Sequence, residues 1–208
     1  MKHNYDSILF DMDGTLWDAV ESYCELWNRT IDYCCPQVGH VGYDKLAALM
    51  GYHLSYIHQQ VVGDACPLDM FHERLTIVEK EIMRSLGGTL YPGVEETIAE
   101  LAKSHKLFMV SNCTADGLPD FFAITGLGQY FVDSVSYGEN GLEKDQNIDM
   151  IVKKHRLQRP LYVGDTRGDC ASAHKAGLPF AWATYGFGKD VVGAEHILNS
   201  ITDLLAIS

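Results

Sequence analysis

Ile8-Leu9-Phe10 is a short apolar run that stops on Asp11, Met12 and Asp13, with Gly14 and Thr15 behind it. A run of this kind bounded by turn residues predicts a buried strand. The pattern then becomes helical. Asp18 is a candidate cap with Glu21 three positions on, and Val20, Tyr23, Cys24, Trp27 and Ile31 recur on one face. Pro36 and Gly39 break that helix, and residues 45–50 and 54–62 are shorter helical candidates on either side of Gly51. The spacing of Leu68, Phe71, Leu75, Val78 and Ile82 predicts a longer helix that runs out at Gly87-Gly88.

From Tyr91 the chain alternates between the two periods. Pro92-Gly93 opens a helix with Glu95 and Glu96 in its first turn and Val94, Ile98 and Leu101 on its apolar face. Residues 107–110 predict a buried strand ending on Ser111-Asn112; a broken helical stretch spans 118–124, and a strand spans 132–137. A turn at 138–141 leads past Lys144 into a helix with Ile148, Ile151 and Val152 facing inward. Residues 161–163 predict a strand ending on Gly164-Asp165, followed by a helix over 169–175 that stops at Gly177. The last core strand is expected over 180–184, with Trp182, Tyr185, Gly186 and Gly188 as ordinary strand and exit, and a final helix over 201–206.

Strands alternating with helices imply an α/β fold, a Rossmann-like doubly wound parallel sheet covered on both faces. About seventy helical residues separate the first strand from the next, far more than an ordinary crossover. That length predicts an inserted all-α cap domain over residues 17–88, on a catalytic core made of residues 1–16 and 89–208.

Composition narrows the function classes. With 208 residues, 47% hydrophobic and 21% charged, the chain has the make-up of a soluble globular protein able to bury a real core. No apolar stretch approaches a membrane span, and Met1-Lys2-His3-Asn4-Tyr5-Asp6 has no signal-peptide core, so a cytoplasmic protein with no membrane partner is expected. A formal net charge of −12 argues against nucleic acid as a partner. It leaves room for a small anion where a metal and a few cations reverse the local field. Cys24, Cys34, Cys35, Cys66, Cys113 and Cys170 show no metal-binding spacing and are expected as free thiols in a reducing compartment.

The chemistry sits at predicted strand ends. One strand ends on Asp11 and Asp13, another on Ser111 and Asn112, a third on Asp165, and Lys144 stands before a helix. In a doubly wound sheet such ends can converge. A carboxylate can attack phosphorus, a hard cation such as Mg²⁺ relieves its repulsion from phosphate, and a second acid can serve the leaving oxygen and then water. A hydroxyl and an ammonium can hold the remaining phosphoryl oxygens. The competing reading is an acidic turn. A calcium loop of the EF-hand type fails, because Thr15 and Leu16 stand where it needs an oxygen ligand and a glycine.

Asp11-Met12-Asp13-Gly14-Thr15-Leu16, Val110-Ser111-Asn112, Lys144 and Gly164-Asp165-Thr166-Arg167-Gly168-Asp169 resemble, in order, the four motifs of the haloacid dehalogenase-like hydrolases. The helical insert resembles that superfamily's small cap, and the nearest likeness is to phosphoglycolate phosphatase-like members. The resemblance implies Asp11 as nucleophile and Asp13 as general acid/base, with Ser111, Asn112 and Lys144 around the phosphate. It implies Mg²⁺ held by the Asp11 carboxylate, the Asp13 main-chain carbonyl and Asp165, with Asp169 in or beside the metal shell. Asp169 serves equally as a helix-start acid. Lys153 and Lys154 are expected to be carried away from the site by their helix.

The implied activity is a Mg²⁺-dependent phosphatase acting on a small phosphorylated metabolite through an aspartyl-phosphate. The alternatives are a phosphomutase of the β-phosphoglucomutase kind and a non-catalytic phosphometabolite-binding module, the latter disfavoured by the intact acid pair. Gly51, Tyr52 and His53 are the expected substrate-selecting loop of the cap. His58 is expected on an exposed helix surface, and the Val20-Tyr23-Trp27 and Leu68-Phe71-Leu75 stripes are expected to be core.

Overall fold

The computed structural model describes residues 4–208; Met1-Lys2-His3, the beginning of the segment read for a signal peptide, lies outside the described residues. Six strands, β1 (Ser7–Phe10), β4 (Lys106–Ser111), β5 (Phe131–Ser136), β6 (Pro160–Gly164), β7 (Phe180–Ala183) and β8 (His196–Leu198), form one sheet in the order β5-β4-β1-β6-β7-β8. Every pairing in it is parallel. Counted along the chain within the sheet this is the order 3-2-1-4-5-6, whose direction of winding reverses beside β1. The short pair β2 (Trp17–Asp18) and β3 (Thr89–Leu90) is antiparallel and joins the two chain crossings into and out of the helical insert.

Alternation along each strand sends side chains to two separate cores. Ile8, Phe10, Leu107, Met109, Leu161 and Val163 pack on one face. That face is covered by α5 (Val94–Leu101), α6 (Gly117–Thr125) and α10 (Leu204–Ile207). Leu9, Phe108, Val110 and Tyr162 pack on the other, under α8 (Lys144–His155) and α9 (Arg167–Lys175). Burial on both faces explains why β1, β4 and β6 read as unbroken apolar runs.

The insert consists of α1 (Val20–Cys34), α2 (Tyr43–Ala47), α3 (Leu54–Val61) and α4 (Leu68–Leu86). It has an apolar cluster of its own, in which α1 lies on α4 and the rings of Trp27 and Phe71 meet at 5.0 Å. No helix of the described residues is long and apolar enough to cross a membrane.

Several expectations change. His58 is buried, not exposed: with Ile57 and Val61 it faces the insert cluster, its ring edge-on to Phe71 at 5.2 Å. An imidazole packs there as an apolar body with polar tips, and desolvation lowers its pKa. Residues 180–184 are not the last core strand, because β8 adds beyond β7; three residues, His196–Leu198, are too few to show a period. The turn expected at 138–141 begins as a single helical turn, α7 (Tyr137–Asn140), closed by Gly141 at positive φ.

Candidate active site

The first motif folds back on itself directly after β1. The Met12 carbonyl accepts the Leu16 N–H at 2.9 Å, and Gly14 N–H donates to the Trp17 carbonyl at 2.9 Å. Gly14 is at φ +78, and a Cβ there would stand 2.3 Å from Asp165 Oδ2, so only glycine lets the β1 loop close on the β6 end. Gly186 and Gly188, expected as ordinary exit residues, press against Asp165 in the same way. Phe187 and Gly188 donate their N–H groups to Asp165 Oδ2 at 2.7 and 3.1 Å. Asp165 Oδ1 is buried with no hydrogen-bond partner.

Asp11, Asp165 and Asp169 come together, each offering an oxygen within 4.8 Å of the others. Lys144, at the start of α8, is buried among them and donates to Asp11 Oδ1 at 2.9 Å and to Asp169 Oδ1. Desolvation alone would lower its pKa, but the Asp11 and Asp169 carboxylates hold it well above the usual lysine range. Asp169 fills the helix-start role foreseen for it, and its other oxygen lies in the carboxylate cluster. Its Oδ2 accepts the Thr166 N–H and hydroxyl at 2.9 and 2.7 Å, capping α9, while Oδ1 reaches Lys144.

Asp13 points elsewhere. Its Oδ1 accepts from Trp17 Nε1 at 3.0 Å and from the Tyr23 hydroxyl at 3.1 Å. Burial, followed by the neighbouring Asp11 charge, pushes its carboxyl up to about 7. Asp11 is raised to about 6 by burial, with Lys144 pulling against that rise. Desolvation and the neighbouring carboxylates of Asp169 and Asp11 hold Asp165 well above its usual range. Three clustered carboxylates against one ammonium leave an excess of buried negative charge, and one buried oxygen lacks a partner. A small divalent cation supplies both deficits, so these residues fit Mg²⁺.

A family model for the haloacid dehalogenase-like hydrolases matches residues 8–183. The chain belongs to this family. A phosphoglycolate phosphatase of Vibrio vulnificus is 28% identical to it over 96% of this chain and 94% of its own length. A pyrophosphatase, PpaX, of Bacillus velezensis is 26% identical over 97% and 95%. The solved structure of a predicted phosphoglycolate phosphatase from Haemophilus somnus superposes with a TM-score of 0.86 at 21% identity, covering 100% of this chain and 99% of that one, a likeness that speaks to the fold. Its family makes this chain a hydrolase of the haloacid dehalogenase-like kind, with a buried acid cluster at the strand ends.

The other expected residues fall as follows. Ser111 is buried at the end of β4, its Oγ accepting the Cys113 N–H at 3.3 Å. Asn112 Nδ2 donates to the Gly51 carbonyl at 2.9 Å, so its donor is engaged by the insert. Gly51 lies against Thr166, and His53 Nε2 meets Glu143 Oε2 at 3.0 Å with its ring on Tyr137 at 4.1 Å. Tyr52 is exposed and stacks on Tyr56. Lys153 and Lys154 are surface residues paired with Asp149 and Asp133.

Between insert and core lies a cavity of about 300 Å³ onto which Asp11, Asp13 and Ser111 open. Leu26, Trp27, Leu68 and Leu75 line it, so the two apolar stripes expected as core also wall the site. Tyr23 does more than pack, since its hydroxyl holds Asp13. The sequence reading missed Tyr23, Trp17 and a buried Glu79, whose Oε1 accepts the Thr114 hydroxyl at 2.8 Å. The available signal was a polar tip within an apolar stripe.

Proposed function

We propose that the chain hydrolyses a small phosphorylated metabolite with Asp11 as nucleophile and Asp13 as general acid and base. The observation that carries this reading is the division of labour between the two acids: Asp11 is ion-paired in the carboxylate cluster, and Asp13 is held apart by neutral donors. Lys144 engages Asp11 Oδ1 and leaves the other oxygen for phosphorus. That oxygen bonds to phosphorus as the ester oxygen leaves, giving an aspartyl-phosphate. Asp13, near 7, is suited to donate the proton to the leaving oxygen and then to take one from the attacking water that frees Asp11.

Asp11, Asp165 and Asp169, with the Asp13 main-chain carbonyl, are the groups to hold Mg²⁺, which when bound neutralises charge on the phosphoryl oxygens. Ser111 and Lys144 bind and orient the phosphoryl group, while the insert acts as the cap that excludes water. The loop Gly51, Tyr52 and His53 seals the cap against Asn112, Thr166 and Glu143. Six free cysteines suit a reducing compartment, the cytoplasm. Purified protein with Mg²⁺ releases inorganic phosphate from an aryl phosphate on this reading, and Asp11→Asn stops turnover with the fold intact. An undiminished rate in Asp11→Asn overturns the assignment.

A further inference from the structure

The cavity that Asp13 borders is poor in positive charge. Its walls are apolar, including Leu26, Trp27, Leu46, Ile57 and Leu75. Its buried polar side chain away from the phosphoryl end is the Glu79 carboxyl, and Asp69 and His72 lie at the exposed margin. None of the described residues lining it is lysine or arginine. Arg167 and Lys189 border a second, larger cavity that shares Gly51, Tyr52, His53 and Asn112 with the first and onto which Lys144 and Asp169 open, but neither Asp11 nor Asp13 borders it. The leaving oxygen has to face Asp13, and Asp13 borders the first cavity.

We propose that this chain takes phosphomonoesters of alcohols that carry no negative charge, with Glu79 as the residue that sets this preference. The inference rests on the phosphatase reading and names its substrate class. Lys144 and a bound cation meet the charge of the phosphoryl group itself. A second anion on the leaving group, whether carboxylate or phosphate, finds no lysine or arginine among the described lining residues and approaches Glu79, whose ionised form repels it in a low-dielectric site. An apolar body finds the aliphatic walls. A hydroxyl or ammonium finds the Glu79 carboxyl, and an ammonium also finds the rings of Tyr23, Trp27 and Tyr137 that border the cavity. The relatives are named for phosphoglycolate and pyrophosphate, both of which place a second anion there, so the chain is expected to diverge from them in substrate.

The test measures kcat/KM of the full chain with Mg²⁺ on phenyl phosphate, phosphorylethanolamine and 2-phosphoglycolate. Phenyl phosphate and phosphorylethanolamine are expected to exceed 2-phosphoglycolate by at least about tenfold, mainly through KM. Glu79→Gln narrows that ratio, and the surface variant Asp69→Asn narrows it less. A wild-type preference for 2-phosphoglycolate, or a ratio unmoved by both variants, overturns the inference while leaving the phosphatase reading in place. Phosphate release from none of the three overturns the phosphatase reading and this inference with it.

Discussion

Replacing Glu79 by glutamine changes stability in a way that depends on pH. Burial raises the Glu79 carboxyl from 4.5 to about 7, only partly opposed by the Thr114 hydroxyl. Because the folded-state value is raised, the folded protein binds this proton more tightly than the unfolded chain does. The associated stability is fully present below about 4.5 and is lost as pH rises through about 7. At about 1.4 kcal/mol per pH unit, the rise corresponds to roughly 3 kcal/mol of stability that the wild type loses across this window. Glutamine keeps an acceptor for Thr114 and cannot ionise, so the variant has no such loss. Urea unfolding of both proteins at intervals from pH 5 to pH 8.5, without divalent cations, gives the difference directly. The active-site carboxylates titrate alike in both and cancel. The variant is expected to gain on the wild type with increasing pH, by an amount approaching that figure. A difference that is flat across the range refutes the claim that burial raises the Glu79 carboxyl.

Other substitutions test the acid cluster. Lys144→Met leaves the Asp11 and Asp169 carboxylates buried without their ammonium, and the unfolding free energy of the metal-free protein is expected to drop by about 3–5 kcal/mol in chemical denaturation. Gly14→Ala drives a methyl group into Asp165, so calorimetric titration should show Mg²⁺ affinity reduced by about tenfold or more. Tyr23→Phe removes a donor that lowers the Asp13 pKa. On the proposed mechanism Asp13 must be protonated to serve the leaving oxygen, so the alkaline limb of the kcat/KM profile is expected to move to higher pH. Chelation of divalent cations by EDTA should abolish phosphate release, and added Mg²⁺ should restore it.

The sheet was legible because its central strands are buried on both faces. Runs such as Ile8-Leu9-Phe10 and Leu107-Phe108-Met109-Val110 need no partner to be read as strands. The acids were legible because turn residues fix them at the strand ends, and the parallel registers of β1 with β4 and β6 bring those ends level. The edges were less so. β8 is three residues long, and β2 and β3 are two each, too short for alternation to register. His58 was misplaced because a single imidazole on a short helix carries little weight in an amphipathic pattern, and packing against Phe71 decided its side.

The polar side chains of the cavity wall were hidden for a different reason. Tyr23 and Glu79 lie in helices whose apolar stripes build the insert's own core, and the same helices form the roof of the active-site cavity. A helix face that must do both mixes core and site residues at adjacent positions. Periodicity reports the burial, not which buried groups look into the cavity. Tyr23 follows Val20 by one turn, yet its hydroxyl holds Asp13, while Val20 only packs. Glu79 follows Val78 and precedes Ile82, and it is buried with them because Thr114 on the core side accepts its company. The charge of the cavity is therefore a property of how the insert docks on the core. Two residues distant in sequence, Thr114 after β4 and Glu79 in α4, must meet for the acid to be both buried and part of the cavity wall. On the proposed mechanism, substrate choice can thus change along α1 and α4 while the strand-end acids Asp11 and Asp13 stay fixed.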